Sequence, residues 1–159
     1  MPDKNLERQI YKSYIKAIEN SIDSKIFNSL YVKNLTTNEI YDVMDDGDLS
    51  CAYFVSGLLS LFSLIDKPHA TVTTVIKKLK DAGWQQVADH KQGDVVVWEE
   101  IFNNDGTKHE HVGFALDNDN AVSNSTDDRK ITKHHITYGQ NGDGTPKRLV
   151  KEIYRYPNF

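Results

Sequence analysis

The stretch from Ser50 to Ile65 constrains the fold most, because apolar residues surround it on nearly every side. A helix that is hydrophobic all round is a buried helix, so this stretch predicts a helix at the centre of a domain. Ser50 is a suitable N-cap for it. The stretch is also interrupted by serine and glycine and is too short to cross a hydrocarbon layer of ~30 Å. We therefore expect no transmembrane helix and no membrane partner.

The length and charge of the chain restrict the class of protein. A chain of 159 residues has the length of one domain and can bury a core without metals or disulfides. The net charge of −4 comes from 19 basic and 23 acidic residues, and the basic residues form no block. Nucleic-acid affinity depends largely on concentrated positive charge, so DNA and RNA are not expected partners. The composition is that of a soluble globular protein.

Two further helices are predicted in the first half of the chain. Apolar residues recur at helical spacing from about residue 4 to 20, which indicates an amphipathic helix. A shorter helix begins after Pro68 and ends at Gly83, a typical C-terminal residue. The polar, turn-rich segment from Asn34 to Asp48 is predicted to be a loop that leads into the central helix.

The second half of the chain predicts short strands separated by Asn, Asp and Gly turns. Helices followed by strands indicate an α+β fold. We expect a single domain over residues 1–159, with a helical part at about 4–83 and a β-sheet part at about 94–157. The predicted strands are Val95–Trp98, His111–Leu116, Ala121–Asn124, Ile131–Tyr138 and Leu149–Tyr156.

The first residues lead directly into a polar helix and lack the apolar core and cleavage site of a signal peptide. Export by the usual route is therefore not expected. The predicted location is the cytoplasm, or release by a non-classical route.

Cys51 is the single cysteine and stands at the first turn of the predicted central helix. Unpaired backbone N–H groups and the positive end of the helix dipole stabilise a thiolate there, and they can also hold an oxyanion. A free cysteine is more commonly a buried packing residue. The polar loop before Cys51 and a histidine strand downstream favour the interpretation as a nucleophile.

His111 is the candidate base for this thiol. Along its predicted strand, Val112 and Phe114 share one face, while His111, Gly113 and Ala115 share the other. Apart from the histidine, the residues on the second face are small. We expect it to let the central helix approach closely enough to bring sulfur and imidazole within ~3–4 Å.

Three motifs in this order resemble the NlpC-type peptidoglycan endopeptidases and the related CHAP amidases, which are both papain-like. Asp48 to Val55 resembles the start of the nucleophile helix. Gly93 to Trp98 resembles the strand that follows, and His111 to Phe114 resembles the histidine strand. Together they span roughly residues 41 to 126.

The resemblance implies a papain-like cysteine hydrolase that cleaves an amide bond in peptides or peptidoglycan fragments and needs no cofactor. It implies Cys51 as nucleophile and His111 as base, with Tyr41, Ser50 and Tyr53 near the oxyanion or substrate. This chain has Tyr53 where the family usually has a small residue. The family's third polar residue is most often histidine.

The residue that orients His111 is expected on the next strand, on the same face. A four-residue hairpin loop would pair Gly113 with Asn124 and place Asn124 there. A three-residue loop would place Ser123 there instead. An amide oxygen is better defined in direction than a rotating hydroxyl, so Asn124 is favoured and Ser123 is kept as the alternative.

Two other interpretations compete with a thiol hydrolase of the cell wall. Cys51, His109 and His111 could form a zinc site, but a structural site needs four ligands and the chain has no second cysteine, so no metal is predicted. The domain could also be a non-enzymatic binding module that keeps the fold, or a hydrolase of another amide. The sequence predicts no oligomeric state.

Overall fold

The computed structural model describes residues 5–103 and 106–159. Over these residues the chain forms three helices, a six-stranded sheet and a separate two-stranded hairpin, and all strand pairs are antiparallel. The predicted α+β class is confirmed. The elements are α1 (Ile10–Ser21), β1 (Tyr31–Lys33), β2 (Ile40–Asp42), α2 (Cys51–Leu61), α3 (Val72–Asp81), β3 (Gln85–Gln86), β4 (Val95–Phe102), β5 (Lys108–Ala115), β6 (Asn120–Ser125), β7 (Lys130–His135) and β8 (Val150–Arg155).

The six-stranded sheet has the order β3-β8-β4-β5-β6-β7. Strands β4 to β7 follow one another as a meander, and β8 returns to the other side of β4. The helices cover one face of this sheet. The core on that face is formed by apolar side chains of α1, α2 and α3 packed on alternate residues of the strands, among them Phe54, Leu58, Val97, Val112 and Phe114.

The other face of the sheet carries a second, smaller cluster of buried residues. Trp98 is fully buried in it, and its indole N–H donates to the carbonyl of Ile136 at 2.6 Å. Val96, Ala115 and Ala121 also belong to this cluster, and the partly buried Tyr138 and Val150 pack against it. The residues of β5 on the side of this cluster are His111, Gly113 and Ala115, which alternate with the core-facing Val112 and Phe114.

Strands β5 and β6 pair over only part of their length. Their pairing starts at Ala115 with Ala121 and ends at Gly113 with Ser123. Beyond that point β5 continues to Lys108 along β4, while β6 continues to Ser125 along β7. We call this opening the β5–β6 split. It leaves the backbone of Val112 without a partner residue on β6 among the described strand pairs.

The loop that precedes α2 is fixed to the β6 side of this split. The side-chain amide of Asn124 donates to the carbonyl of Gly47 at 2.6 Å, and the hydroxyl of Thr126 donates to that of Asp48 at 3.1 Å. Gly47 has a φ of 94°, a left-handed conformation that favours glycine. These contacts deliver the first turn of α2 to the end of the sheet where β5 and β6 separate.

The structure differs from the predicted elements mainly at their ends and in the loop before α2. Helix α1 begins at Ile10 rather than near residue 4, and α2 spans Cys51–Leu61 rather than reaching Ile65. The segment predicted as a loop contains β2, which pairs with β1 in a short, largely exposed hairpin. Among the described residues, no helix has the length and apolar character needed to span a membrane.

Gly113 allows Trp98 and Ser123 to approach the centre of β5 from two sides. A Cβ at this position would lie 2.5 Å from the carbonyl oxygen of Val122, 2.7 Å from Cβ of Ser123 and 3.1 Å from the ring of Trp98. Contacts this short cannot be accommodated without moving the neighbouring strand.

We therefore expect Gly113→Ala to lower the free energy of unfolding by about 1–3 kcal/mol, the usual cost of overpacking. Chemical denaturation measures this change. Gly142→Ala is the matched control, because a Cβ added there meets nothing within 4 Å. Equal stability of the two variants would contradict the close approach of β6 to Gly113.

Candidate active site

Cys51 is the first residue of α2 and lines an open cleft of about 1060 Å³. Its side chain is partly buried, and the cysteine is free. The cleft lies at the β5–β6 split, and its walls come from the loop before α2, the first residues of β5 and the ends of β4 and β6. The thiol is therefore placed at the first turn of a core helix and within reach of solvent.

His111 lines the same cleft but lies on the face of the sheet opposite the helices. Its ring packs beside Trp98, its cross-strand neighbour on β4, with 5.6 Å between the ring centroids. The sequence-based expectation that α2 packs on the face of His111 and Gly113 is wrong. Helix α2 packs on the Val112 and Phe114 face, and the missing side chain of Gly113 makes room for Trp98 and Ser123.

Helix α2 and His111 lie on opposite faces of the sheet, but the β5–β6 split allows Cys51 and His111 to line the same cleft. The sulfur is influenced by the backbone N–H of Val112, the residue next to His111, as well as by the N–H of Ala52. Among the described residues, no hydrogen bond joins the sulfur to the imidazole directly. The two groups thus line one cleft and share one backbone neighbour.

Ser123, and not Asn124, contacts His111. The hairpin loop has three residues, because the N–H of Leu116 already bonds to the carbonyl of Asn120 at 2.9 Å. The carboxylate of Asp117 tightens this loop by accepting from the N–H groups of Asp119 and Asn120, each at 2.9 Å. This register places Ser123 opposite Gly113, with its hydroxyl 2.9 Å from Nε2 of His111.

The favoured four-residue loop, and with it Asn124 as the partner of His111, is thereby corrected. Asn124 is buried on the helix-facing side of β6. Its amide holds the loop before α2 through Gly47, which gives it a structural role in placing Cys51.

The hydroxyl of Ser123 is the centre of a larger polar cluster. Besides Nε2 of His111, it lies 2.7 Å from Nε2 of His134 and 3.2 Å from the hydroxyl of Tyr138. His134 stacks on the ring of Tyr138, with centroids 4.0 Å apart and an angle of 16°. The other ring nitrogen of His134, Nδ1, is 2.8 Å from the backbone carbonyl of His135. Ser123 itself is almost fully buried.

Arg148 supplies positive charge to the wall of the cleft. Its guanidinium donates to the backbone carbonyl of Glu99 at 2.9 and 3.1 Å and to that of His109 at 3.1 Å. Its central carbon lies 5.8 Å from the ring centroid of Tyr138. Within residues 5–103 and 106–159, no carboxylate lies within ion-pair distance of this guanidinium, although the carboxylate of Glu99 is close enough to act on its pKa.

Burial favours the neutral forms of both Cys51 and His111. It raises the pKa of the Cys51 thiol, although the N–H groups of Val112 and Ala52 and the charge of Arg148 act in the opposite direction. Burial lowers the pKa of His111 to about 3, and the neighbouring Arg148 and His134, which would repel an imidazolium, act in the same direction. The thiolate expected from the helix N-terminus is therefore not the resting state, because the cost of burying the charge is the larger effect.

The three residues expected near the oxyanion or substrate are not gathered at the thiol. Tyr41 is exposed on β2, and Tyr53 packs edge-on against Phe27; neither is among the described residues that line the cleft. Ser50 is fully buried, and its side chain makes no capping hydrogen bond. The backbone N–H groups of the first turn of α2 remain as the candidate oxyanion donors.

His109 lies on the wall of the cleft, where its Nε2 is 2.5 Å from the hydroxyl of Thr107. No group of three or more His, Cys, Asp or Glu side chains within the described part of the chain is arranged to hold a metal ion.

Sequence reasoning missed His134, Tyr138 and Arg148. The adjacent pair His134 and His135 carried a usable signal, because alternation along a strand must put one of them on the face of the site. Arg148 follows a polar turn and lies outside any strand, so no periodic pattern marked it.

No model of a known protein family matches this chain, and no curated protein is significantly similar to it.

We predict that alkylation of Cys51 by iodoacetamide has its pH midpoint above the ordinary cysteine pKa of about 8.5, because burial disfavours the thiolate. Mass spectrometry of the labelled protein over a pH series measures this midpoint without ambiguity, since the chain has a single cysteine. A midpoint near or below neutral pH would show a resting thiolate and contradict the prediction.

Proposed function

We propose that this protein is a papain-like cysteine hydrolase that cleaves amide bonds. The observation that carries this proposal is that Cys51, His111 and Ser123 line one open cleft, with Ser123 bonded to Nε2 of the imidazole. Acyl transfer requires a nucleophile, a base beside it and a group that orients the base. The resemblance of three ordered motifs to the NlpC-type and CHAP enzymes supports the same assignment.

In the proposed reaction the Cys51 thiol gives its proton to Nδ1 of His111 while the sulfur attacks the amide carbonyl carbon. The carbonyl oxygen becomes an oxyanion that backbone N–H groups at the start of α2 stabilise. The carbon–nitrogen bond then breaks, and the imidazolium gives its proton to the departing amine. Water, deprotonated by His111, resolves the thioester to a carboxylic acid and restores the thiol.

Starting from a neutral pair suits this sequence of steps. With a pKa of about 3 the resting imidazole is neutral at neutral pH, so one of its two ring nitrogens has a free lone pair that can accept the thiol proton. The charges then develop together as the sulfur attacks, when substrate has displaced water from the cleft.

The substrate that the resemblance favours is the short peptide of peptidoglycan, either free or attached to the wall. The cleft supports a peptide with a carboxylate close to the scissile amide, because Arg148 offers a cation that the described residues leave without a carboxylate partner. Exposed Ile101 and Phe102 line the same cleft and offer an apolar wall.

We expect Cys51→Ala to abolish release of soluble fragments from purified peptidoglycan, and His111→Ala to reduce it by about 10²–10⁴-fold, the usual contribution of a general base. Release of new amino groups without new reducing ends shows that an amide bond, and not a glycosidic bond, is cleaved. Tyr41→Phe is the matched control, because Tyr41 is exposed outside the cleft.

Thermal unfolding of each variant separates loss of chemistry from loss of fold. Equal release by the wild type and Cys51→Ala would remove the hydrolase proposal. Retention of peptidoglycan by both proteins without any release would favour a binding module that keeps the fold.

A second prediction concerns the charge of Arg148. Wild type should cleave a peptide with a free carboxylate beside the scissile amide more efficiently than the same peptide with that group amidated. Arg148→Gln should reduce the ratio of the two kcat/KM values by about tenfold or more, since a hydrogen bond to a charged group contributes about 1.5–3 kcal/mol. Arg148→Lys should retain part of the preference. An unchanged ratio in Arg148→Gln would exclude Arg148 from carboxylate recognition.

A further inference from the structure

His134 is placed to control the imidazole of His111 without touching it. The two rings are joined by one hydroxyl, that of Ser123, at 2.9 Å from Nε2 of His111 and 2.7 Å from Nε2 of His134. A hydroxyl has one proton to donate and two lone pairs that accept. Which atom donates in each of these two hydrogen bonds therefore determines which ring nitrogen of each histidine carries the proton.

The donor and acceptor of each hydrogen bond are fixed at the end of this series furthest from His111, by a backbone carbonyl. Nδ1 of His134 is 2.8 Å from the carbonyl oxygen of His135. A carbonyl oxygen only accepts, so Nδ1 of His134 carries a proton and donates it. Burial lowers the pKa of His134, which favours the neutral ring. In a neutral imidazole with Nδ1 protonated, Nε2 is an acceptor.

The remaining bonds follow from this assignment. The Ser123 hydroxyl must donate its proton to Nε2 of His134, which leaves its two lone pairs to accept. One lone pair accepts from Nε2–H of His111, and the other accepts from the hydroxyl of Tyr138 at 3.2 Å. Each hydrogen bond of the Ser123 hydroxyl then joins one donor to one acceptor. His111 is consequently protonated on Nε2 and unprotonated on Nδ1.

We infer that His134 is a positioning residue which, through the hydroxyl of Ser123, holds the proton of His111 on Nε2 and leaves Nδ1 free to accept the thiol proton. The reaction assigned to Nδ1 rests on the proposed function, but the proton positions do not. Without the acceptor on His134, the hydroxyl of Ser123 can turn and donate to Nε2 of His111. That bond stabilises the tautomer protonated on Nδ1, which cannot accept a proton from the thiol.

The surroundings of His134 favour a fixed ring. It stacks on Tyr138 and packs against Trp98, whose ring centroid is 5.4 Å away. Ser123 and His134 reach each other diagonally across β6 and β7, since Ala121 is the direct partner of His134. Arg148 acts on both His111 and His134, His134 acts on His111, and His135 acts on His134. The hydroxyl of Tyr138 also faces this cluster through Ser123 and is itself influenced by Arg148 and Cys51.

The test is nuclear magnetic resonance of the full chain with ¹⁵N-labelled histidine, in which long-range correlations show which ring nitrogen carries the proton. At neutral pH, wild type should show His111 protonated on Nε2 and His134 protonated on Nδ1. His134→Phe keeps a ring on Tyr138 but removes the acceptor, and it should shift His111 towards protonation on Nδ1. His135→Asn is the matched control, because it keeps the backbone carbonyl and an acceptor for the N–H of Thr137; it should leave the His111 signals unchanged.

Activity gives the second readout. We expect His134→Phe to lower kcat/KM by about 10²-fold, within the range that a general base contributes. Because His134 acts through Ser123, the double variant Ser123→Ala/His134→Phe should be no slower than Ser123→Ala alone. If the two substitutions lowered kcat/KM independently, the loss in the double variant would be the product of the two single losses. That result would contradict a connection through the hydroxyl of Ser123.

Wild type protonated on Nδ1 of His111 or on Nε2 of His134 would overturn the inference, and this measurement requires no variant to fold. An unchanged His111 tautomer in folded His134→Phe would also overturn it. Absence of any hydrolysis by wild type would instead remove the proposed function and leave the proton assignment intact.

Discussion

The candidate site depends on the early end of pairing between β5 and β6. Antiparallel strands normally pair along their common length, yet here the ladder stops at Gly113 and Ser123 while both strands continue. The freed backbone around Val112 faces the first turn of α2, and the freed end of β6 holds the preceding loop through Asn124. The same feature thus brings Cys51, at the start of a helix on one face of the sheet, and His111, on the other face, to one cleft.

Burial and helix geometry act in opposite directions on Cys51. The first turn of a helix favours an anion, whereas transfer of a charge away from water opposes it. For a thiol packed between a core helix and the sheet, the second effect is larger, and the pKa of Cys51 is raised. The low pKa of His111 has the same cause. A neutral thiol is less readily oxidised than a thiolate, so burial also makes Cys51 less susceptible to oxidation.

The sequence predicted the long elements well and the register poorly, for physical reasons. The apolar runs of α2 and β4 and the alternation along β5 are strong signals, so the α+β class, the place of Cys51 at the start of a helix and that of His111 on a strand followed from them. The β1–β2 hairpin is short and largely exposed, so its strands carry little hydrophobic pattern. The choice between Ser123 and Asn124 depended on one residue of loop length, which Asp117 decides by bonding to the N–H groups of Asp119 and Asn120.

The registers of two successive hairpins, β5–β6 and β6–β7, create the cluster around Ser123. The three-residue loop between β5 and β6 puts Ser123 on the face of His111, and the pairing of β6 with β7 puts His134 on that face as well. A slip of one residue in either hairpin would turn Ser123 or His134 to the helix side of the sheet. Packing opposes such a slip, because it would also move Val122 or Ile131 out of the core and Ala121 out of the cluster around Trp98. The proton arrangement at the site is therefore held by the same apolar alternation that holds the sheet together.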